Sequence, residues 1–175
     1  MYDQNKGLPG ARNEGLKVAK GKYIALLDCD DAFKIDRIDQ QIDFMKENAL
    51  DHSYGGYQEV HGLTDKMSGP IIPPSDPREY LLKGQNVCYC GSNMFRKDVV
   101  DKIGYFDENL NKLGAEDLEY LVRLVEAGLK SKGIEESLYY LGITDQNMTA
   151  KYLAGGQFVQ AYKYIAQKHP NFIQS

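Results

Sequence analysis

Three carboxylates lie within four residues of the sequence, in the segment Asp28-Cys29-Asp30-Asp31. Neighbouring carboxylates repel one another, so such a cluster is costly unless water solvates it or a cation neutralises it. Hard carboxylate oxygens suit Mg²⁺ or Mn²⁺, and Mg²⁺ commonly takes one or two protein carboxylates together with substrate phosphates. A solvated loop with a helix-capping aspartate would also account for these residues. The apolar run 23–27 directly before them predicts a buried strand, and open α/β sheets bind ligands at strand ends, which favours a metal-and-nucleotide site.

Two other kinds of acidic site compete with this interpretation. A calcium-binding EF-hand loop needs Gly at its sixth position and Glu at its twelfth, but Phe33 and Asp39 stand there. A phosphatase of the haloacid dehalogenase type also carries a D-x-D pair after an apolar strand, with its first aspartate as nucleophile. Asp28 and Asp30 fit that pair, although Ala32 stands where Thr or Val is usual. The calcium loop is therefore excluded, and the phosphatase stays open.

A second acidic pair, Glu116-Asp117, follows Gly114-Ala115 and opens a predicted helix. Acids in a first helical turn are stabilised by the helix dipole and by free backbone N–H groups, which would explain either acid alone. Asp117 lies four residues before Leu121, so it sits beside the buried edge of the helix. A carboxylate in that position can point into a cleft and act as a general base.

Arg12 lies in a glycine-containing segment, residues 5–13, that precedes the first predicted helix. The glycines match neither a dinucleotide-binding fingerprint nor a Walker loop. A guanidinium group there could pair with a diphosphate, but an ordinary surface arginine explains the residue as well. The segment alone therefore indicates only a loop before a helix.

The bulk composition limits the class of protein. Of the 175 residues, 42% are hydrophobic and 26% are charged, as in a globular domain with a core. A net charge of −4 provides no basic excess to neutralise phosphates, so we expect no nucleic-acid partner. No apolar run approaches the roughly 20 residues of a membrane-spanning helix. Because the three cysteines (Cys29, Cys88 and Cys90) match no zinc or redox spacing, we expect reduced thiols and a cytoplasmic location.

The elements that must position these residues follow from hydrophobic periodicity and from the placement of Gly and Pro. Strand 23–27 has the continuous apolar character of a strand in a mainly parallel sheet. The Gly and Pro residues of Gly62–Pro77 predict an irregular loop, and its length suggests that it covers part of the domain. Apolar residues at helical spacing mark two core faces: Ile35, Ile38, Ile42, Met45 and Ala49, and Leu118, Leu121, Val122 and Val125. The predicted helices span 12–20, 35–48, 96–104, 115–127 and 150–168, and the other predicted strands span 54–60, 92–95 and 137–142. The pattern predicts one α/β domain over residues 1–175, with a helical segment at 150–175.

Three ordered blocks resemble family 2 glycosyltransferases. NKGLPGARNEGLKVAKGKYIALLDCDDAF is similar to the stretch of that family with N-x-G, A-R-N and D-x-D-D. GSNMFRKDVVDKIGYFDENL resembles its acceptor-side segment, and GAEDLEYLVRLVEAG resembles the helix that carries its catalytic base. The blocks agree with the family in order and spacing over residues 5–145. A haloacid dehalogenase phosphatase has neither the A-R-N block nor the other two.

The resemblance implies a GT-A (Rossmann-like) mixed sheet flanked by helices, and inverting transfer from a nucleotide-sugar donor. It places Asp30 on Mg²⁺ or Mn²⁺, Asp28 near the ribose or the metal, and Asp31 in support. Asp117 would be the catalytic base, with Glu116 as second choice, and Arg12 would face the diphosphate. It further implies a UDP-sugar donor, a glycan or glycolipid acceptor, bacterial-type surface polysaccharide or glycolipid synthesis, and peripheral association with a membrane.

The sequence departs from the family at its N-terminus. Family members carry a β-α-β segment before the A-R-N block, and here only four residues precede Asn5. We therefore expect an N-terminally truncated catalytic domain that binds nucleotide weakly alone, and a homo-oligomer or a complementing chain. A non-catalytic module is the alternative; it would self-associate through the exposed sheet and the aromatic residues Tyr152, Phe158, Tyr162 and Tyr164.

Overall fold

A mixed β-sheet runs through the centre of the computed structural model, which describes residues 5–62, 66–83, 85–86, 89–144, 152 and 154–170. Its strands are β1 (Tyr23–Ala25), β2 (Ala32–Phe33), β3 (His52–His61), β4 (Lys66–Met67), β5 (Met94–Arg96) and β6 (Ser131–Ile143). The strand order is β1-β5-β3-β6-β2, and β4 pairs with β3. Strands β3 and β6 are parallel, and the other pairings in this sheet are antiparallel. The predicted α/β class with a mixed sheet is confirmed.

Helices flank the sheet. In the described part of the chain they are α1 (Gly7–Val18), α2 (Arg37–Glu47), α3 (Arg78–Leu82), α4 (Lys97–Ile103), α5 (Glu116–Glu126) and α6 (Gln157–Lys168). Short 3-10 helices span Cys90–Ser92 and Glu108–Leu110. No helix among the described residues is both long enough and apolar enough to cross a bilayer.

Helix α5 is the central element of the core. Its predicted apolar residues Leu118, Leu121, Val122 and Val125 are all buried, in a cluster that also contains residues of β3 and α6. Its opposite side places Tyr120 and Leu124 in a second cluster with residues of α1, β1, β5 and α4. Because α5 is buried on both sides, the position of its first turn is fixed by most of the domain. The predicted helix and its stop at Gly128 are confirmed to within a residue.

Helix α1 begins five residues earlier than predicted. The prediction started at Arg12, but the helix includes Leu8, Pro9 and Gly10 in its first turn and ends at Val18, before Gly21. Proline is tolerated there because the first N–H groups of a helix have no intrahelical acceptor. The earlier start places Arg12 in the middle of a helix and not at its entrance.

Strand β1 is shorter than the predicted strand 23–27, and the prediction of a mainly parallel environment is wrong. Its three residues pair antiparallel with β5 at one end of the sheet order. Leu27 has left the strand and is 47% exposed. A short apolar run indicates burial but does not define the direction of its neighbours, which explains the error.

Helix α2 buries a different face from the one predicted. The helix begins at Arg37, and Ile35 lies before it, fully exposed. Its buried residues are Arg37, Gln41 and Met45, at a spacing of four. Of the predicted face only Met45 is buried; Ile38 and Ala49 are exposed, and Ile42 is half-buried.

A network of hydrogen bonds permits this polar face to be buried. Arg37 Nε donates to Gln41 Oε1 at 3.0 Å, and Arg37 Nη2 donates to the carbonyl oxygen of Asn93 at 3.1 Å. The amide nitrogen of Gln41 donates to the carbonyl oxygens of Ser53 and Ser92, at 3.1 and 2.9 Å. Buried polar groups with such partners avoid most of the cost of desolvation, so helical periodicity alone could not identify this face.

The predicted irregular loop Gly62–Pro77 contains strand pairing in its described residues, 62 and 66–77. It contains β4, and Tyr57 and Ile71 exchange two backbone hydrogen bonds of 3.0 and 2.8 Å. Gly133 of β6 lies against it so closely that a Cβ atom there would be 2.4 Å from the carbonyl oxygen of Pro74. The segment around Ile71 is therefore a fixed wall beside the sheet.

The remaining predicted elements are present with shifted ends. The strands predicted over 54–60, 92–95 and 137–142 correspond to β3, β5 and β6, and the helix predicted over 96–104 corresponds to α4, which ends before Gly104 with φ 79°. In the last predicted helix, Tyr152 and Ala154 are helical, a turn at Gly155–Gly156 follows, and α6 begins at Gln157. The start of that prediction, residues 150–151, lies outside the described residues.

His52 of β3 contacts β6 and the residue before β5 from a fully buried position. Its Nε2 lies 2.7 Å from Asn93 Oδ1, and its Nδ1 lies 2.8 Å from Ser131 Oγ. The Asn93 amide nitrogen donates to two carbonyl oxygens, so its Oδ1 faces His52 and the imidazole carries its proton on Nε2. Burial lowers the pKa of His52 from 6.5 to about 4. The imidazole is therefore neutral in the folded protein at neutral pH.

We expect the stability of the fold to fall between pH 6.5 and pH 4 because of this histidine. In that window the unfolded chain binds a proton that the folded chain does not, so the free energy of unfolding decreases by about 3 kcal/mol in total. Urea unfolding against pH measures this for the wild type and for His52→Gln, in which that part of the pH dependence should vanish. His61→Gln, which removes an exposed imidazole from the same strand, is the control. Titration of His52 near pH 6.5 in NMR spectra would contradict the prediction.

Candidate active site

The acidic segment forms a tight turn between β1 and β2. The backbone N–H of Asp31 donates to the carbonyl oxygen of Asp28 at 3.2 Å, which closes the turn. Asp28 and Asp31 are partly buried, whereas Cys29 and Asp30 are exposed. The three carboxylates therefore differ in their surroundings although they are close in sequence.

Asp31 attaches the acidic turn to β6, the last strand along the chain. Its Oδ1 accepts a hydrogen bond of 3.0 Å from the backbone N–H of Gly142 in β6. Burial, together with the charges of Asp28 and Asp30, raises the pKa of Asp31 to about 6. Gly142 cannot be replaced without movement, because a Cβ atom there would lie 2.1 Å from the carbonyl oxygen of Asp30.

Arg12 lies buried between the acidic turn and the start of α5. Its Nη2 donates to both carboxylate oxygens of Asp28, at 3.0 and 3.1 Å, and its Nη1 donates to Glu116 Oε1. The Arg12 and Glu116 side chains are each 8% exposed. A guanidinium group presents its donors in a rigid fork, so it fixes the separation of these two carboxylates. This arrangement differs from a surface arginine, and a role of Arg12 toward a diphosphate stays a prediction.

Asn13, the next residue of α1, holds the segment before α5. Its amide nitrogen donates to the carbonyl oxygen of Phe106 at 3.0 Å and to Glu108 Oε1 at 3.0 Å, and its Oδ1 accepts from the N–H of Phe106 at 2.8 Å. Sequence reasoning assigned Asn13 no role. Its position next to Arg12 was the available signal, since consecutive helical residues point to different neighbours.

The two acids at the start of α5 lie in different environments. Glu116 is buried in its ion pair with Arg12. Asp117 is partly exposed; its Oδ1 accepts from the N–H of Leu118 at 2.8 Å and its Oδ2 accepts from the Asn86 amide nitrogen at 3.0 Å. Burial raises the pKa of both acids, and the charge of Arg12 opposes the rise. Of the two, Asp117 has the freer approach from the cleft.

One open cleft of about 1420 Å³ brings the predicted residues together. Among the described residues that line it, Arg12 is the one cationic side chain and five are carboxylic acids: Asp28, Asp30, Asp31, Glu116 and Asp117. Apolar residues of α1 and β1 and several aromatic residues also line the cleft. All six sequence-predicted site residues therefore face the same space, although they come from three separate segments of the chain.

The acids are not arranged as a complete protein cage for a metal ion. Within the described ranges, no group of three or more His, Cys, Asp or Glu side chains is placed to hold a metal ion. Mg²⁺ in nucleotide sites uses one or two carboxylates and takes further ligands from phosphates and water, so the exposed Asp30 fits that smaller donor set. Cys29 and Cys90 form no disulfide among the described residues, and Cys88 lies outside them.

Comparison with known proteins gives a consistent result. The model of a family described as glycosyl transferase family 2 matches residues 2–104. The chain is 42% identical over 169 residues to a putative teichuronic acid biosynthesis glycosyltransferase, TuaG, of Bacillus subtilis, covering 95% of the chain and 65% of that protein. It is 31% identical over 129 residues to the Escherichia coli protein WfaP, named as a UDP-Glc:alpha-D-GlcNAc-diphosphoundecaprenol beta-1,3-glucosyltransferase, covering 73% of the chain and 48% of that protein.

The fold has a counterpart among experimental structures. S. aureus TarS 1–349 in complex with UDP-GlcNAc aligns with a TM-score of 0.69 over 99% of this chain and 50% of that one. At 17% sequence identity, this likeness concerns the fold alone, which is that of a GT-A glycosyltransferase. The chain spans less than two thirds of the length of each of these three proteins.

Replacing Arg12 by methionine should destabilise the protein by about 3 kcal/mol or more, because it leaves the buried carboxylate of Glu116 without a partner. The double variant Arg12→Met/Glu116→Gln should recover much of that loss, since the buried charge of Glu116 is removed as well, and Asp28, at 37% exposure, can still be solvated. Urea unfolding of both variants gives the two values. Lys17→Met, which removes an exposed ion pair from the same helix, is the matched control and should unfold at nearly the same urea concentration as the wild type. Equal losses in Arg12→Met and Lys17→Met would contradict the prediction.

Proposed function

The chain belongs to glycosyl transferase family 2, and we propose that it forms the catalytic part of an enzyme that transfers a sugar from a nucleotide-diphosphate donor to an acceptor hydroxyl with inversion. The observation that carries the proposal is the convergence of the acidic turn and Asp117 on one cleft, where Arg12 joins the turn to Glu116, the residue before Asp117. In this proposal the acidic turn binds the donor diphosphate together with a metal ion, and Asp117 deprotonates the acceptor hydroxyl.

The charge of the cleft supports a divalent cation, Mg²⁺ or Mn²⁺. A diphosphate entering a cleft with five carboxylates and one already paired guanidinium would be repelled unless a cation accompanied it. Asp30 is exposed and accepts no side-chain hydrogen bond from any described residue, so we assign the metal to Asp30, with Asp28 beside it. When bound, the ion would stabilise the charge on the departing nucleoside diphosphate. Asp31, fixed to β6, supports the turn.

We assign the base to Asp117 because the two acids at the start of α5 have different partners. Glu116 is committed to Arg12, whereas Asp117 lines the cleft with an oxygen oriented by Asn86. In the proposed step the acceptor oxygen attacks the anomeric carbon, the bond from that carbon to the diphosphate oxygen breaks, and the hydroxyl proton passes to Asp117. A raised pKa makes this carboxylate a stronger base, which suits the role.

The relatives point to the substrates. WfaP is named for a UDP-glucose donor and TarS was crystallised with UDP-GlcNAc, so we expect a UDP-sugar. TuaG is named for teichuronic acid biosynthesis and WfaP for a lipid-linked acceptor, which supports a glycan or glycolipid acceptor in surface polysaccharide synthesis. In this proposal the reaction takes place in the cytoplasm, with peripheral association at the membrane.

Exposed apolar residues of α1 and of the segment after β1 support a partner in assembly. Leu27 and Val18 are 47% and 73% exposed, and β1 forms one end of the sheet. Further polypeptide from a homo-oligomer or a complementing chain would cover this surface. A haloacid dehalogenase phosphatase is not favoured, since the family match spans the A-R-N block and the acidic turn together. A purely self-associating module would leave the converging carboxylates unexplained.

The replacement Asp30→Asn should abolish the Mn²⁺-dependent part of nucleotide binding, because it removes the charge that attracts the ion and leaves the turn intact. Thermal unfolding with UDP or UDP-GlcNAc, with and without Mn²⁺, measures this; each tenfold loss of affinity at saturation lowers the stabilisation by about 1.4 kcal/mol. Asp39→Asn, an exposed acid of α2, is the control. Two results would argue against the proposed function. One is stabilisation by UDP that is the same with and without Mn²⁺, and the other is hydrolysis of aryl phosphates that depends on Asp28.

Replacing Asp117 by asparagine should lower kcat for sugar transfer by about 10²- to 10⁴-fold, the usual contribution of a general base, while nucleotide binding persists. The measurement is release of UDP from a panel of UDP-sugars, combined with the thermal assay for binding. Glu116→Gln is the informative comparison, since it removes the second candidate base. A larger loss of turnover in Glu116→Gln, at equal stability, would reverse the two assignments.

A further inference from the structure

Two aromatic rings pack against Gly114, which lies two residues before the first acid of α5. A Cβ atom on Gly114, whose φ is 78°, would lie 2.8 Å from the ring of Phe158 and 2.9 Å from the ring of Tyr152. These rings stand edge to face, with centroids 6.0 Å apart and planes at 87°. Together with Tyr162 they line the cleft, and we call these three residues the aromatic wall.

The aromatic wall is fixed relative to Asp117. Lys168, at the end of α6, donates to Glu119 Oε1 at 2.7 Å, and Glu119 is a fully buried residue of α5. Ala161 and Ile165 of α6 lie in the same core cluster as the apolar residues of α5. The helix that carries Phe158 and Tyr162 is therefore docked on the helix that carries Asp117.

Part of the aromatic wall lies outside the core. Tyr162 packs against the main cluster, whereas Phe158 is half-buried and belongs to none of the described core clusters. Burial and then the charge of Asp117 raise the pKa of the Tyr162 phenol, which agrees with the proximity of the wall to that carboxylate. Half-buried aromatic faces in a cleft are surfaces available to a ligand.

The charges around the aromatic wall select against one class of ligand. Among the described residues that line the cleft, the one cationic group is that of Arg12, and its terminal nitrogens already bind Asp28 and Glu116. A phosphate placed beside Asp117 would therefore meet carboxylates without a compensating cation. An uncharged sugar has no such penalty, and the C–H groups on the face of its ring are attracted to the negative face of an aromatic ring.

We propose that the aromatic wall is the binding surface for the acceptor, and that the part of the acceptor bound there is an uncharged sugar ring and not a phosphate-bearing polyol. This inference rests on the proposed function, in which Asp117 deprotonates the acceptor hydroxyl. The wall holds the ring beside Asp117, and the shape and polarity of the wall select the sugar. The inference makes Phe158 a residue that determines acceptor binding without taking part in donor binding.

Saturation-transfer NMR with neutral methyl glycosides of glucose, galactose and N-acetylglucosamine, and with ribitol 5-phosphate and glycerol 3-phosphate, tests the proposal. We expect at least one neutral glycoside to bind the wild-type chain more tightly than both phosphates. In Phe158→Ala its affinity should fall about tenfold. Phe158→Tyr, which keeps the ring, should restore binding, and Val159→Ala, an exposed neighbour on α6, should bind like the wild type.

The result that would overturn the proposal is tighter binding of the polyol phosphates, absence of binding by every neutral glycoside, or equal binding by Phe158→Ala and wild type. Stabilisation by UDP and Mn²⁺ is measured on the same samples. Its loss in Phe158→Ala would assign Phe158 to the donor site, which also contradicts the inference. Absence of that stabilisation in the wild type would count against the proposed donor chemistry, so the two failures are distinguishable.

Discussion

A buried guanidinium group between two carboxylates is the interaction on which the site depends. Arg12 binds Asp28 on one side and Glu116 on the other, and it lies against the ring of Phe106 with 5.8 Å between the guanidinium carbon and the ring centroid. Charges removed from water are tolerated only when they are paired and hydrogen-bonded, so none of these three groups can be displaced alone. The acidic turn and the first turn of α5 are consequently held at one separation.

Neighbouring contacts extend this constraint to the whole cleft. Asn13 fixes the Phe106 segment to α1, and the backbone of Gly142 fixes Asp31 to the last strand. Each of these contacts joins elements that are distant in sequence. The cleft is therefore assembled from α1, the acidic turn, α5 and β6, and its rigidity is a property of the core around α5.

The arrangement also explains how five carboxylates coexist in one cleft. Glu116 and Asp28 are compensated by Arg12, and Asp31 accepts a backbone hydrogen bond. Asp30 and Asp117 form no ion pair with a described side chain; Asp30 is exposed to solvent, and Asp117 is oriented by Asn86. In the proposed transferase this separation keeps the donor's metal ion and the acceptor's base on different carboxylates. The aromatic wall borders the second of these, which is why we assign it to the acceptor.

Features that depend on local pattern could be predicted from the amino-acid sequence. The apolar face of α5, the helix ends at Gly104 and Gly128, and the acids directly after an apolar strand follow from periodicity and from backbone preferences that act over a few residues. The ordered motifs were sufficient to identify the family. The identity of the buried polar groups, and of their hydrogen-bonding partners, could be read only from the tertiary structure. Arg12 meets Glu116 across 104 residues of sequence, and α2 buries Arg37 and Gln41 where apolar spacing indicated Ile35 and Ile38. The physical reason is that burial of a polar group is decided by its hydrogen-bonding partners, and those partners come together only when distant segments pack.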